Sequence, residues 1–178
     1  FCRKCGQYSY LLPSQRRKPM ITLYHGTNEP FDTIDLQKSK RYKDFNRAFY
    51  LSKEQSQAYE MANNKVDFLG GEPIVYAYEF DEQRLQEGDL KVKIFPHYSE
   101  EWAEFIWRNR DENQDFTHGY DIVYGPIAND TIGLQLREFK RKHHGNIRSF
   151  LKGIKFIKGE TFQYAFCSEK AIKLLKRI

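Results

Sequence analysis

No stretch of this sequence approaches the roughly 20 apolar residues that a membrane helix requires. Phe1–Arg17 lacks an apolar h-region, so neither end reads as a targeting signal. Cysteine is scarce. Cys2, Cys5 and Cys167 give no disulfide framework, which points to a reducing, cytoplasmic compartment. Cys2-x-x-Cys5-Gly6 has the shape of one zinc-ribbon knuckle, but a structural zinc needs four ligands and Cys167 lies far away. The pair therefore reads as two thiols on a tail, or as half a site completed in a longer protein. The chain begins at Phe1 instead of Met, which suggests a fragment or processed product. Phosphate-loop motifs are missing as well: no G-x-G-x-x-G follows a strand, and there is no P-loop. His143-His144 lacks spaced partners for a metal, His97 and His118 have no identifiable partner, and no Ser-His-Asp or nucleophilic Cys arrangement stands out.

What is present describes a globular chain. A length of 178 residues suits one well-packed domain, and 40% hydrophobic with 16% aromatic residues can build its core. A mean hydropathy of -0.76 implies a well-solvated surface, not disorder. The net charge of +5 permits an acidic partner such as nucleic acid. That excess is spread over Arg16–Lys18, Lys38–Lys43, Lys140–Lys142 and Lys173–Arg177, as solvated faces would be.

Residues 1–20 read as a tail or linker carrying the lone CxxC, and residues 21–178 as one domain. Ile21–His25 is a β-prone run stopped by Gly26. Pro30–Lys43 reads as a loop with one helical turn. Arg47–Leu51 is β-prone again. Ser52 with Gln55 forms a capping box, predicting a helix over Lys53–Asn63 that buries Ala58, Met61 and Ala62. Gly70-Gly71 breaks the chain before the clearest strand, Pro73–Phe80. Leu90–Ile94 alternates like a half-exposed strand. Ser99 caps a second helix with Trp102, Phe105, Ile106 and Asn109 on one face, and Trp107 off it. Tyr120–Tyr124 is a strand stopped by Gly125-Pro126. A basic, glycine-punctuated stretch over Phe139–Thr161 follows, then a late strand, Phe162–Cys167. Ser168 caps a terminal helix, Glu169–Ile178, with Ile172 and Leu175 inward. This irregular interspersion argues for an α+β fold of split, mostly antiparallel β-sheets with flanking helices.

His25 and Gly26 carry the first chemical signal. A glycine at a strand end lets a ligand lie against the backbone, and the imidazole can bond a sugar hydroxyl from the same side. A capped strand end bearing a polar histidine is the competing reading. Tyr50, leading into a helix, can stack on a flat heteroaromatic ring or pack the core. Asp44 and Asp130 are carboxylates worth following, or simply turn and cap aspartates.

Five segments occur in order: Tyr24-His25-Gly26-Thr27; Asp44-Phe45-Asn46-Arg47-Ala48-Phe49-Tyr50; Trp102-Ala103-Glu104-Phe105; Tyr120-Asp121-Ile122-Val123-Tyr124-Gly125-Pro126-Ile127-Ala128-Asn129-Asp130; and Gln163-Tyr164-Ala165-Phe166. Together they resemble the ADP-ribosyltransferase superfamily, in its diphtheria-toxin-like and PARP-like clade with a His–Tyr–Glu/Asp/Gln triad, and within it a bacterial branch. The resemblance spans about Ile21 to Ile178. It implies a split sheet clasping NAD as substrate, with catalytic His25, Tyr50 and Gln163. His25 would bond a ribose hydroxyl, Gly26 would read the nicotinamide carboxamide, and Tyr50 would stack on the nicotinamide ring. Thr27, Asp44, Phe45 and Ser52 complete the NAD-binding set it implies, with no metal. The implied reaction releases nicotinamide through an oxocarbenium-like state and transfers ADP-ribose to a macromolecular acceptor, protein or nucleic acid. A bacterial toxin role would bring an antitoxin partner. Transfer to water would make it a glycohydrolase, and loss of chemistry would leave a silent binding module. Two departures bear on this. Asn46 and Ala48 replace two glycines of the pattern, and Gln163 offers an amide where a glutamate could act as a base.

Overall fold

Alternating side chains in two long runs build the first of two sheets. A computed structural model describes residues 20–142, 145–156 and 159–178. In it β1 (Met20–Thr27) and β3 (Ile74–Asp81) pair antiparallel along their full lengths, from Met20↔Asp81 to Thr27↔Ile74. The short strand β7 (Lys176–Arg177) lies on the far edge of β3. The second sheet has the order β2-β6-β5-β4, formed by β2 (Phe49–Leu51), β6 (Phe162–Phe166), β5 (Ile122–Pro126) and β4 (Val92–Ile94). Its pairs are antiparallel except β4 with β5, which are parallel. The sheets touch at one bridge, where Tyr24 N–H donates to Ser52 O at 2.7 Å and Ser52 N–H to Tyr24 O at 2.9 Å. The fold is thus α+β, with two mostly antiparallel sheets and flanking helices.

Strand periodicity sorts the core into two parts. Leu23, Phe49, Leu51, Tyr78, Phe80, Ile122, Tyr164 and Phe166 fill the space between the sheets. On the other face of the second sheet, Val123 and Ala165 meet Phe45, Phe95, Trp102, Ile106, Phe139 and Phe150. Those last residues come largely from three helices, α2 (Glu100–Arg110), α3 (Ile132–Arg141) and α4 (Ile147–Ile154). Helix α1 (Gln55–Leu69) covers the outer face of the first sheet, where Gly26 meets Ala58 and Ala62. Trp102 is fully buried and its indole N–H donates to Pro126 O at 3.0 Å, so the ring is core material with its polar atom satisfied. Trp107 is half-buried and meets Phe139 edge-on, with centroids 5.5 Å apart.

Several expectations need correction. Strands β1 and β5 run through Gly26 and Pro126 instead of stopping before them. Ser52 and Gln55 form no capping box: Ser52 is taken up by its bridge to Tyr24, and α1 begins at Gln55 behind the N-cap Glu54. Helix α1 runs on to Leu69 and ends where Gly70 takes φ 76, a C-terminal position that glycine favours. Met61 is exposed, while Ala58 and Ala62 are buried as expected. The basic stretch after Phe139 contains the end of α3 and all of α4, capped by Asn146 Oδ1 on Arg148 N. Asn129 ties this helical pair to the end of β5, its amide donating to Gly153 O and Lys155 O at 3.0 Å each. Ser168 does cap a helix, α5, but α5 spans just Glu169–Ile172 before the chain turns into β7. Ile172 and Leu175 are half-buried against the inter-sheet core. Ser99 caps α2 as expected, accepting from Trp102 N. No helix among the described residues is long and apolar enough to cross a membrane. Cys2, Cys5 and His143-His144 lie outside the described residues.

Candidate functional site at the junction of the sheets

His25 lies next to the bridge that joins the sheets. Its Nδ1 is 2.7 Å from the backbone oxygen of Tyr50. A carbonyl only accepts, so Nδ1 carries the hydrogen and Nε2 keeps a lone pair. Burial pulls the imidazole pKa from 6.5 to about 4, opposed by the Tyr50 bond and reinforced by the ammonium groups of Lys65 and Lys43. His25 is therefore a neutral acceptor at ordinary pH. Its ring is clamped by Phe49, stacked at 4.2 Å, and Phe31, edge-on at 5.8 Å.

Gly26 turns out to be needed for packing. A Cβ there would stand 1.8 Å from the Ala58 carbonyl oxygen, so glycine is what lets α1 lie against β1. Its backbone still faces the junction, because alternate residues of an antiparallel strand point the same way and Tyr24 points at Ser52. The Gly26 carbonyl accepts from Lys65 Nζ at 2.8 Å. Lys65 belongs to the α1 face formed by Ala58, Ala62 and Lys65, spaced i, i+4 and i+7. That spacing puts Lys65 on the face of α1 that packs on β1, but nothing local in the sequence shows that it reaches Gly26.

Tyr50 is half-buried, with its hydroxyl donating to Asn46 O at 2.6 Å and accepting from Phe45 N–H at 3.1 Å. Burial, with the Asp44 charge behind it, pushes its pKa well up, so the hydroxyl stays protonated. Lys43 Nζ stands over the ring, 5.4 Å from its centroid. Asn46 adopts φ 62, the left-handed backbone for which asparagine is a tolerable replacement of glycine. Ala48 needs no such conformation; it is buried in the core and bonded through its backbone to the Ser39 hydroxyl.

Gln163 projects beside Asp44, its Nε2 donating to Asp44 Oδ2 at 3.3 Å. Asp44 is buried and occupied at both oxygens. Oδ1 takes Arg110 Nε at 2.7 Å, and Oδ2 also takes Ala128 N–H at 3.3 Å. Asp44 is thus an ion-paired brace between the loop before β2, α2 and the end of β5. It fixes the amide of Gln163 so that Oε1 is the free acceptor. Sequence reasoning named Asp44 without its partner Arg110, which lies 66 positions away with no local pattern linking them.

Of the remaining expected site residues, Phe45 is a wholly buried core ring whose carbonyl faces His118 Nε2 at 3.1 Å. Its side chain is therefore unavailable to a ligand. Thr27 spends its hydroxyl on a local turn with Glu29, and Ser52 on Glu54 N–H and Gln57 Oε1. Asp130 is exposed in the turn before α3. His118 has the partners the sequence did not reveal, Phe45 O and Tyr120 N–H, and His97 has Glu160 at 3.4 Å. Cys167 is half-buried and its thiol is pushed up to about 12, chiefly by desolvation. His25 is bonded to the Tyr50 backbone and Gln163 to Asp44, and the two pairs are joined through Phe45, next to Asp44, whose N–H donates to the Tyr50 hydroxyl. Thr27, Ser52 and Phe45 contribute to its walls and turns.

A two-sheet α+β scaffold, with a neutral histidine at the seam between its sheets, is what this fold and site define. The chain belongs to the family described as "Protein of unknown function (DUF3990)", whose profile matches residues 21–177. Comparison with curated proteins and with solved structures gave no match.

Proposed function

We propose that this domain binds NAD at the junction of its two sheets and transfers ADP-ribose from it to a macromolecular acceptor. The observation that carries this reading is His25. It is neutral, fixed by Tyr50 O, and keeps Nε2 as an acceptor suited to a ribose hydroxyl. The resemblance of the ordered His25, Tyr50 and Gln163 set to the ADP-ribosyltransferase pattern supplies the reaction. The glycosidic C–N bond to nicotinamide breaks with its electron pair leaving on nicotinamide. An acceptor nucleophile then bonds to the same ribose carbon and loses its proton. Gln163 Oε1, oriented by Asp44, accepts a hydrogen bond from a ribose hydroxyl. Asp44 is no base for the incoming nucleophile, since both its oxygens are engaged. The acceptor must therefore be a good nucleophile without help, or lose its proton to solvent.

That engaged carboxylate also favours a second reading, a domain that binds NAD without turnover. Incubation with NAD labelled in its adenylate half, with and without cell extract, separates the two. Transfer of label to a macromolecule with nicotinamide release, abolished in His25→Ala, supports the transferase. Free ADP-ribose regardless of extract indicates a glycohydrolase, and binding without either product indicates the silent module. Absence of binding and of both products contradicts the proposal.

A further inference from the structure

Four lysines are half-buried among the described residues: Lys43, Lys65, Lys93 and Lys140. Lys93 pairs with Glu101, and Lys140 with Asp111 at 2.5 Å. Lys43 and Lys65 form no ion pair with any described residue, and the only described carboxylate that acts on either is Asp44 on Lys43, itself paired with Arg110. Sequestering an ammonium without a counter-charge is costly, which is why such groups are ordinarily paired. Both unpaired lysines reach the same place. Lys65 Nζ is 2.8 Å from Gly26 O, beside His25, and Lys43 Nζ stands over the ring of Tyr50, whose carbonyl holds His25. They come from different elements, α1 and the loop before β2.

We infer that Lys43 and Lys65 form an anion-binding subsite for the diphosphate of a dinucleotide, flanking His25 and Tyr50. The inference rests on the NAD reading for the rest of the ligand, but not for the anion itself. Two point charges on flexible stems suit a group carrying several negative oxygens. Low-dielectric walls at the junction focus their field outward. Burial, with repulsion from Lys43, lowers the Lys65 ammonium to about 8, and burial, with repulsion from Lys40 and Arg110 outweighing the attraction of Asp44, lowers Lys43 as well. An arriving anion relieves that strain in both. The Gly26 carbonyl is the provisional partner of Lys65, since a neutral oxygen stands where a charged one would bind better.

Calorimetric titration of inorganic pyrophosphate into the full chain tests the inference. Wild type should bind it, Lys43→Gln/Lys65→Gln should weaken binding at least tenfold, and Lys43→Arg/Lys65→Arg should retain it. The glutamine variant should melt no lower than wild type, because no ion pair is lost and two half-buried ammoniums are removed. Equal binding by wild type and the glutamine variant, or no binding by wild type, overturns the inference. Orthophosphate binding as tightly as pyrophosphate overturns the diphosphate assignment. NAD affinity unchanged in the glutamine variant overturns the subsite and leaves the NAD reading standing. Pyrophosphate binding that depends on both lysines, with no NAD binding by wild type, upholds the subsite and overturns the NAD reading.

Discussion

His25 Nδ1 donates its hydrogen to the backbone oxygen of Tyr50 at 2.7 Å, joining a residue of the first sheet to one of the second. That bond fixes both the tautomer and the direction of the ring.

Stability should follow the protonation of His25. Its pKa in the folded chain, about 4, lies below the unfolded value of 6.5, so the unfolded chain takes up the proton first. The contribution of the neutral ring is complete above pH 6.5 and is lost as pH falls towards 4. The amount is on the order of 3 kcal/mol from the size of the shift. Thermal melts of wild type and His25→Asn from pH 7.5 to 4 should converge as pH falls. A constant difference between the two would contradict this.

Gly26→Ala should destabilise the domain by about 1–3 kcal/mol or more, as overpacking does, because its Cβ meets the Ala58 carbonyl. Gly133, within α3, has open space around it, so Gly133→Ala should be neutral or stabilising by up to about 1 kcal/mol. Denaturant midpoints of the two variants provide the comparison.

Gln163→Glu should lower stability at neutral pH. The new carboxylate would face Asp44 Oδ2, which Gln163 now approaches at 3.3 Å as a donor. Like charges raise the carboxyl pKa in the fold, so the added glutamate is tolerated at low pH and becomes unfavourable as pH rises through that value. A cost of about 1–3 kcal/mol at pH 7 is expected, at about 2–4 °C in melting temperature per kcal/mol. A melting temperature unchanged at pH 7 would show that the two side chains do not meet.

Asp44→Ala and Arg110→Ala should be strongly non-additive. Their coupling should exceed about 1 kcal/mol in a double-mutant cycle, since each single change strands the other partner of a largely buried pair.

Most strands were legible because their side chains alternate or form short β-branched and aromatic runs, as in Ile74–Asp81 and Ile122–Pro126. Local caps were legible where a serine precedes a helical face, as at Ser99 and Ser168. Helix α4 was hidden because Gly153 and the surrounding basic residues read as loop. In the fold that glycine admits the Gln135 side chain of α3, which a Cβ would meet at 2.5 Å or less. The length of α5 was overestimated because Ile172 and Leu175 fit a helical period, whereas pairing with β3 turns Lys176–Arg177 into a strand. At the site, His25, Gly26, Tyr50 and Gln163 could be named from motifs. Lys43, Lys65 and Arg110 could not be assigned there, because their proximity is made by distant segments meeting.

Calorimetric titration of NAD into wild type and His25→Asn, each checked by its melting curve at pH 7.5, tests the central claim most directly. Binding by wild type, weakened at least tenfold in a folded His25→Asn, is the predicted result. No binding by wild type, or equal affinity in both, would contradict an NAD site at the junction of the sheets.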